Sequence, residues 1–184
     1  MSIDVLLVRH GEAAAQWGVD PDPGLSEMGK RQAAATAEAL TETLQADTAI
    51  VSSPMCRARD TAAYLAGHFE SDMTIDDRFR EVPAPVPFED RATWIRTFMT
   101  QQWSAQPQTI RTWRDQILAA LESLTAPTVV FTHFVVINAV VSAIEQTDAV
   151  MVFQPDYASV TRLRLEHGKL HIVHRGDANA SIVN

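Results

Sequence analysis

Apolar positions along the chain switch between a period of two and a period near 3.6, and the switches mark where strands hand over to helices. Ile3 and Val5 lead into Leu6-Leu7-Val8, and the run stops at Arg9-His10-Gly11. Its shortness and its closing glycine predict a buried strand whose last residues emerge at a sheet edge. A polar loop over 16–24 follows. Ser26 then stands as an N-cap, and Ala33, Ala37, Leu40 and Leu44 recur at helical spacing, which predicts a helix over 27–44. Residues 49–52 read as a second strand, and Ser53-Pro54 as a cap with proline at the first helical position of a helix reaching about residue 67. A third strand over 73–76 precedes an irregular loop over 78–89, where Pro83, Pro85 and Pro87 exclude helix interior and central strand. Helices are predicted over 91–102 and 109–124, the second with Ile110, Trp113, Ile117, Leu121 and Leu124 on one stripe. Residues 128–132 form the most β-prone run, ending in His133, and a helix over 135–144 comes next. Val160, Leu163 and Leu165, a turn over 166–169 and a return over 170–173 predict an edge hairpin.

Four strands that each feed a helix imply a mostly parallel sheet. The expected fold class is α/β: a three-layer α/β/α sandwich with an antiparallel edge hairpin. No repeat, low-complexity tract or linker divides residues 1–184, so one domain is expected.

Composition narrows the function. At 184 residues and 46% apolar side chains the chain can bury a substantial core. A net charge of -8 argues against nucleic acid or an acidic membrane surface as partner, so any anion site must be local. Positive charge is almost all arginine, with Lys30 and Lys169 the two lysines; this suits bidentate oxyanion binding and equally fits a compositional habit. The single Cys56 excludes an internal disulfide and a zinc knuckle, and with no signal peptide or membrane-length apolar run a cytoplasmic location is expected.

Parallel strands deliver their carboxyl ends to one side of a sheet. That convergence brings Arg9 and His10, then Ser52, Ser53 and Arg57, then His133 to one rim. The helix opening near Pro54 adds a positive dipole end and free backbone N–H groups. Gly11 lets the backbone turn beside a ligand. Two arginines, two histidines and a helix start describe an anion pocket, for which phosphate is the obvious guest.

Those residues stand in blocks: Arg9-His10-Gly11-Glu12-Ala13; Gly24-Leu25-Ser26-Glu27-Met28-Gly29-Lys30-Arg31-Gln32-Ala33; Ser52-Ser53-Pro54-Met55-Cys56-Arg57-Ala58-Arg59-Asp60-Thr61-Ala62; and Thr132-His133. Together and in this order they resemble the histidine phosphatase superfamily, also called phosphoglycerate mutase-like. The resemblance implies that His10 is the nucleophile that takes the phosphoryl group, with Arg9, Arg57 and His133 around the phosphate oxygens and no metal or other cofactor. It implies Glu81 as the proton donor, with Glu89 or Asp90 as substitutes, because Pro83-Ala84-Pro85 replaces the family's usual continuation. Gln16 stands where many members carry an asparagine that contacts phosphate, and either binds phosphate or faces solvent. Phe134 stands where small residues usually follow the histidine, and is expected to pack inward.

Rival chemistries fit less well. Cys56 lacks an arginine six positions on, Asp20-Pro21-Asp22 lies in a proline-broken loop, and His171 and His174 point to opposite faces of a strand, with His167 in a turn. The leading expectation is a metal-independent, acid-type phosphatase of a small phosphomonoester acting through a phosphohistidine. A protein phosphohistidine phosphatase, a phosphoglycerate-type mutase and a non-catalytic phosphate-binding module are the alternatives. The segment 78–108 discriminates: Phe88, Trp94, Phe98 and Trp103 either roof a small-molecule pocket or pack inward and leave the site open to a protein.

Overall fold

The structure is a computed structural model that describes residues 2–15, 19–45 and 47–177; Gln16 lies outside the described residues. Six strands, β1 (Ser2–Arg9), β2 (Ala49–Ser52), β3 (Met73–Ile75), β4 (Thr128–Thr132), β5 (Val160–Glu166) and β6 (Lys169–His174), form one sheet in the order β3-β2-β4-β1-β5-β6. β3, β2, β4 and β1 run parallel, and the β5-β6 hairpin closes the other edge antiparallel.

The period of two decides the layers. Val5 and Leu7 of β1 and Val130 of β4 point into one core with Ile117 and Leu121 of α4 (Gln108–Glu122) and with α5 (Phe134–Ile144). Leu6, Val8, Val129 and Phe131 point the other way, onto Ala37 and Leu40 of α1 (Glu27–Thr41) and Ala62 and Leu65 of α2 (Cys56–Phe69). Helices therefore cover both faces, as a parallel sheet requires.

Several boundaries differ from the sequence reading, each for a local reason. α1 stops at Thr41, short of Leu44, because the Thr41 and Thr43 hydroxyls donate to the carbonyls of Glu38 and Leu40 and divert the backbone. α2 begins at Cys56, two residues past Pro54, with Met55 as its cap. α3 (Arg91–Phe98) is shorter than 91–102 because the following residues pair elsewhere: Trp103 N–H donates to the Asp148 carbonyl and Val150 N–H to that of Gln101. Ser26 does cap α1, its Oγ accepting from Gly29 N–H at 3.0 Å.

Gly11 is needed for a different reason from the one its sequence suggests. Its φ is not positive; instead the turn after β1 crosses the start of α1 so closely that a Cβ on Gly11 would lie 2.6 Å from the Gly29 carbonyl oxygen. Gly29 faces the same crossing, where a Cβ would lie 2.1 Å from the Glu12 oxygen. No helix among the described residues is long and apolar enough to cross a membrane.

Candidate active site

Register places the site. Arg9 of β1 lies opposite Thr132 of β4, and Ser52 of β2 opposite Phe131. The residues one step further are tied across: His10 N–H donates to the Thr132 carbonyl and Ser53 N–H to that of Phe131, both at 2.9 Å. His10, Ser53 and His133 therefore leave three parallel strands at the same level. Beside them opens a cleft of about 650 Å³, lined by Arg9, His10, Arg57 and Glu81 among others.

His10 is oriented from both sides. Its Nδ1 lies 2.7 Å from the Gly11 carbonyl oxygen, which can only accept, so Nδ1 carries the proton. Nε2 then holds the lone pair, and it accepts from Arg57 Nε at 3.2 Å. Gly11 N–H is occupied by Thr61 Oγ1, whose own hydroxyl donates to the Arg57 carbonyl, so the turn after β1 is bolted to the first coils of α2. Burial, then the charges of Arg57 and Arg9, push the His10 pKa well below its ordinary value. The ring is neutral at physiological pH, as a nucleophile must be.

His133 lies behind this wall and does not line the cleft; its ring centroid is 5.2 Å from that of His10. Ser53 Oγ accepts from Met55 N–H at 3.3 Å and shares a 2.7 Å hydrogen bond with His133 Nε2. His133 Nδ1 has no hydrogen-bond partner among the described residues. Burial, Arg57 and His10 hold this imidazole neutral too. Ser53 thus supports His133 and does not face the cleft, and it does not act as the side-chain N-cap of α2.

The opening turn of α2 is also less available than its position suggests. Met55 N–H is taken by Ser53, and Cys56 N–H donates to Asp22 Oδ1 at 2.8 Å. Asp22 is an anchor: it ties the loop segment before α1 to α2 and lies 4.0 Å from the Arg57 guanidinium. Cys56 sits on the helix beside Asp60.

Arg9 is 4% exposed and tightly framed. NH1 donates to the Pro155 carbonyl at 2.8 Å, and the guanidinium carbon stands 3.9 Å from the Tyr157 ring centroid and 5.2 Å from that of Phe134. Phe134 both packs in the core and lines the cleft. Tyr157 sits in a patternless stretch that gave no sequence signal; Asn138 orders its approach by accepting from Val152 and Phe153 N–H.

Of the three candidate acids, the cleft takes Glu81 alone; Glu89 and Asp90 are exposed and line no part of it. The Thr132 hydroxyl and Trp113 indole N–H hold the Phe79 and Arg80 carbonyls, fixing the loop just before Glu81. Burial raises the Glu81 pKa, opposed by hydrogen bonds from Val82 and Val135 N–H and by the charges of Arg57 and Arg9. The net direction favours the protonated acid.

The roof divides the four aromatics of segment 78–108. Phe88 lines the cleft with Ile95 and Met99, whereas Phe98 and Trp103 are buried in the core and Trp94 stacks on Phe98 at 4.7 Å. His171 and His174 are exposed on β6, as is His167 in the turn before it.

Solved structures share this fold. Bacillus stearothermophilus YhfR is 22% identical, with 96% of this chain and 98% of that chain covered and a TM-score of 0.77. Phosphoserine phosphatase from Entamoeba histolytica, solved with 3-phosphoglyceric acid, is 20% identical, with 96% and 98% covered and a TM-score of 0.73. A mycobacterial glucosyl-3-phosphoglycerate phosphatase is 21% identical, with 97% and 100% covered and a TM-score of 0.71. Among curated proteins, none matches the chain. The profile of one family, however, matches it continuously from residue 5 to residue 178, so the chain belongs to the histidine phosphatase superfamily (branch 1).

Proposed function

We propose that the protein is a phosphatase of small phosphomonoesters that works through a phosphohistidine at His10. The observation that carries this reading is the fixed tautomer of His10: with Nδ1–H held by the Gly11 carbonyl, the Nε2 lone pair lies at the cleft under the Arg57 guanidinium. Nε2 attacks phosphorus, and the P–O bond to the leaving alkoxide breaks. Arg57 exchanges its hydrogen bond to Nε2 for the phosphate oxygens, joined by Arg9, while His133 packs behind His10 and supports it from outside the cleft. Gly11 and Ser53 serve by positioning the two rings. Protonated Glu81 gives its proton to the alkoxide, and as carboxylate then takes one from the water that attacks phosphorus, releasing phosphate and restoring neutral His10. The two arginines supply the charge stabilisation that magnesium supplies in other phosphoryl transfers, so no metal is required by this route.

A cleft of about 650 Å³ is in the range that encloses a small molecule. Similarity in fold to phosphatases named for phosphoserine and glucosyl-3-phosphoglycerate supports the same size class. The inward packing of Trp94, Phe98 and Trp103, which takes three of the four aromatics out of the roof, supports a second reading, a phosphohistidine protein as substrate, whose imidazole leaving group departs without an acid.

The test is hydrolysis of p-nitrophenyl phosphate, phosphorylated metabolites and a phosphohistidine protein in the presence of a chelator. Turnover is expected with wild type and abolished in His10→Ala; activity surviving that change removes the assignment. Glu81→Gln should lose metabolite turnover by about 100-fold or more while sparing phosphohistidine. Equal loss on both would deny Glu81 its role as donor.

A further inference from the structure

The segment between α5 and β5 has neither a helical nor a strand period, yet it grips the end of β1 at four points. Arg9 N–H donates to the Ser159 carbonyl at 3.1 Å, and Ala158 N–H donates to that of His10 at 3.3 Å. The Arg9 side chain meets the same segment, with Nη1 donating to the Pro155 carbonyl and the guanidinium lying over the Tyr157 ring. Residues 155–159 thus form a cradle for the arginine beside the nucleophile. Its downstream end is secured by the Thr36 hydroxyl, which donates to the Ala158 carbonyl at 2.9 Å, and by the start of β5.

The upstream end depends on one side chain. Asn138 of α5 is 1% exposed, and its Oδ1 accepts from Val152 N–H at 2.8 Å and from Phe153 N–H at 3.2 Å. Its Nδ2 donates to the Phe134 carbonyl one turn earlier at 3.1 Å, which fixes the orientation of the amide. Among the described residues no other hydrogen bond holds the backbone over 151–154. An amide at this depth in a helix is costly unless each polar atom is satisfied, and here the satisfaction comes from the segment that carries the cradle. Asn138 itself does not line the cleft.

We infer that Asn138 is a positioning residue for phosphate binding: by holding the backbone at Val152 and Phe153 it places the Pro155 carbonyl and the Tyr157 ring, and through them the Arg9 guanidinium. This rests on the phosphatase reading for the role of Arg9. Without the Oδ1 acceptor the two N–H groups must turn to water, and the cradle is then held at its downstream end alone. A displacement of about 1 Å in a group that meets the phosphoryl oxygens is enough to cost a large factor in binding and rate.

The test reads binding of a non-hydrolysable ligand apart from turnover. Dissociation constants for phenylphosphonate are measured by calorimetry with wild type, Asn138→Ser, Asn138→Ala and Asn138→Asp, each also in an Arg9→Met background, with thermal midpoints to show that every variant is folded. Asn138→Ser is the principal variant, because a serine hydroxyl can keep the bond to the Phe134 carbonyl but cannot reach the segment. Asn138→Ser and Asn138→Ala should weaken phenylphosphonate by about tenfold, and kcat/KM for p-nitrophenyl phosphate should fall with it. Asn138→Asp retains the acceptor and should recover most of the affinity. In the Arg9→Met background the same substitutions should change affinity by about twofold at most, since the group they position is gone. Wild-type affinity in a folded Asn138→Ser, or an equal loss with and without Arg9, overturns the inference. Binding of phenylphosphonate by wild type without any phosphatase turnover would remove the proposed activity and leave the Asn138 comparison in force; no binding by wild type would overturn both.

Discussion

Tyr157 sets the plane of Arg9. A guanidinium 3.9 Å from a ring centroid, with one nitrogen on the Pro155 carbonyl, has few other orientations open to it. A cation over an aromatic face contributes up to about 2 kcal/mol when water is excluded. Tyr157→Leu should accordingly lower kcat/KM for p-nitrophenyl phosphate by about tenfold, and Tyr157→Phe, which keeps the ring, should lose much less. An equal loss in both would assign the effect to the hydroxyl and not to the stacking. His10 and Arg57 were legible in the sequence because each sits at a fixed offset from a strand end. Tyr157 was not, because the stretch before β5 has neither period, and only Asn138 and the packing against β1 bring it back to Arg9.

The described residues between β1 and α1, 10–15 and 19–26, behave as an element in their own right, although they are neither helix nor strand. The loop is closed at its base by the Ala13–Leu25 bridge and by the hydrogen bonds of Ala14 N–H to the Gly24 carbonyl and Ser26 N–H to that of Glu12. Asp22 fastens it to α2, while Asp20, Pro21 and Pro23 line the cleft. Loss of a side-chain acceptor at a helix start costs about 1 kcal/mol. Asp22→Ala is therefore expected to lower the thermal midpoint by about 2–4 °C and to raise KM for small phosphomonoesters, since the loop then leaves the cleft wall. An unchanged KM together with the lowered midpoint would confine Asp22 to a capping role. The helix start was visible in Ser53-Pro54, but which groups satisfy its N–H donors was not, because Ser53 turns to His133 and an acceptor arrives from 34 residues upstream.

Across the whole molecule, the site imposes a pH dependence on stability. His10 and His133 are held well below their ordinary pKa, so the folded chain binds fewer protons than the unfolded one as pH falls below about 6.5. Stability is then lost with falling pH. Glu81 acts with the opposite sign: its raised pKa means that the folded state keeps a proton the unfolded state gives up, a contribution lost as pH rises through the folded value. With two imidazoles against one carboxyl, the thermal midpoint should fall between pH 7 and pH 5, and His133→Gln should flatten the decline. A midpoint indifferent to pH over that interval would mean that both rings protonate as freely folded as unfolded.

What the chain determined locally is its set of elements and the level at which they end. The period of two in Val5 to Val8 and in Val129 to Phe131 divides the residues between two cores, and strands that share a direction must present Arg9-His10, Ser52-Ser53 and Thr132-His133 on one side. Those consequences follow from backbone geometry and burial, which act over a few residues. Tertiary structure alone decided which groups saturate one another: Gly11 against Gly29, Asp22 on Cys56, Tyr157 beneath Arg9, and Arg91 left with Phe88 for company. Hydrogen bonds and cation–ring contacts reach only a few ångströms, so they are settled by which distant segments the packed cores bring within range.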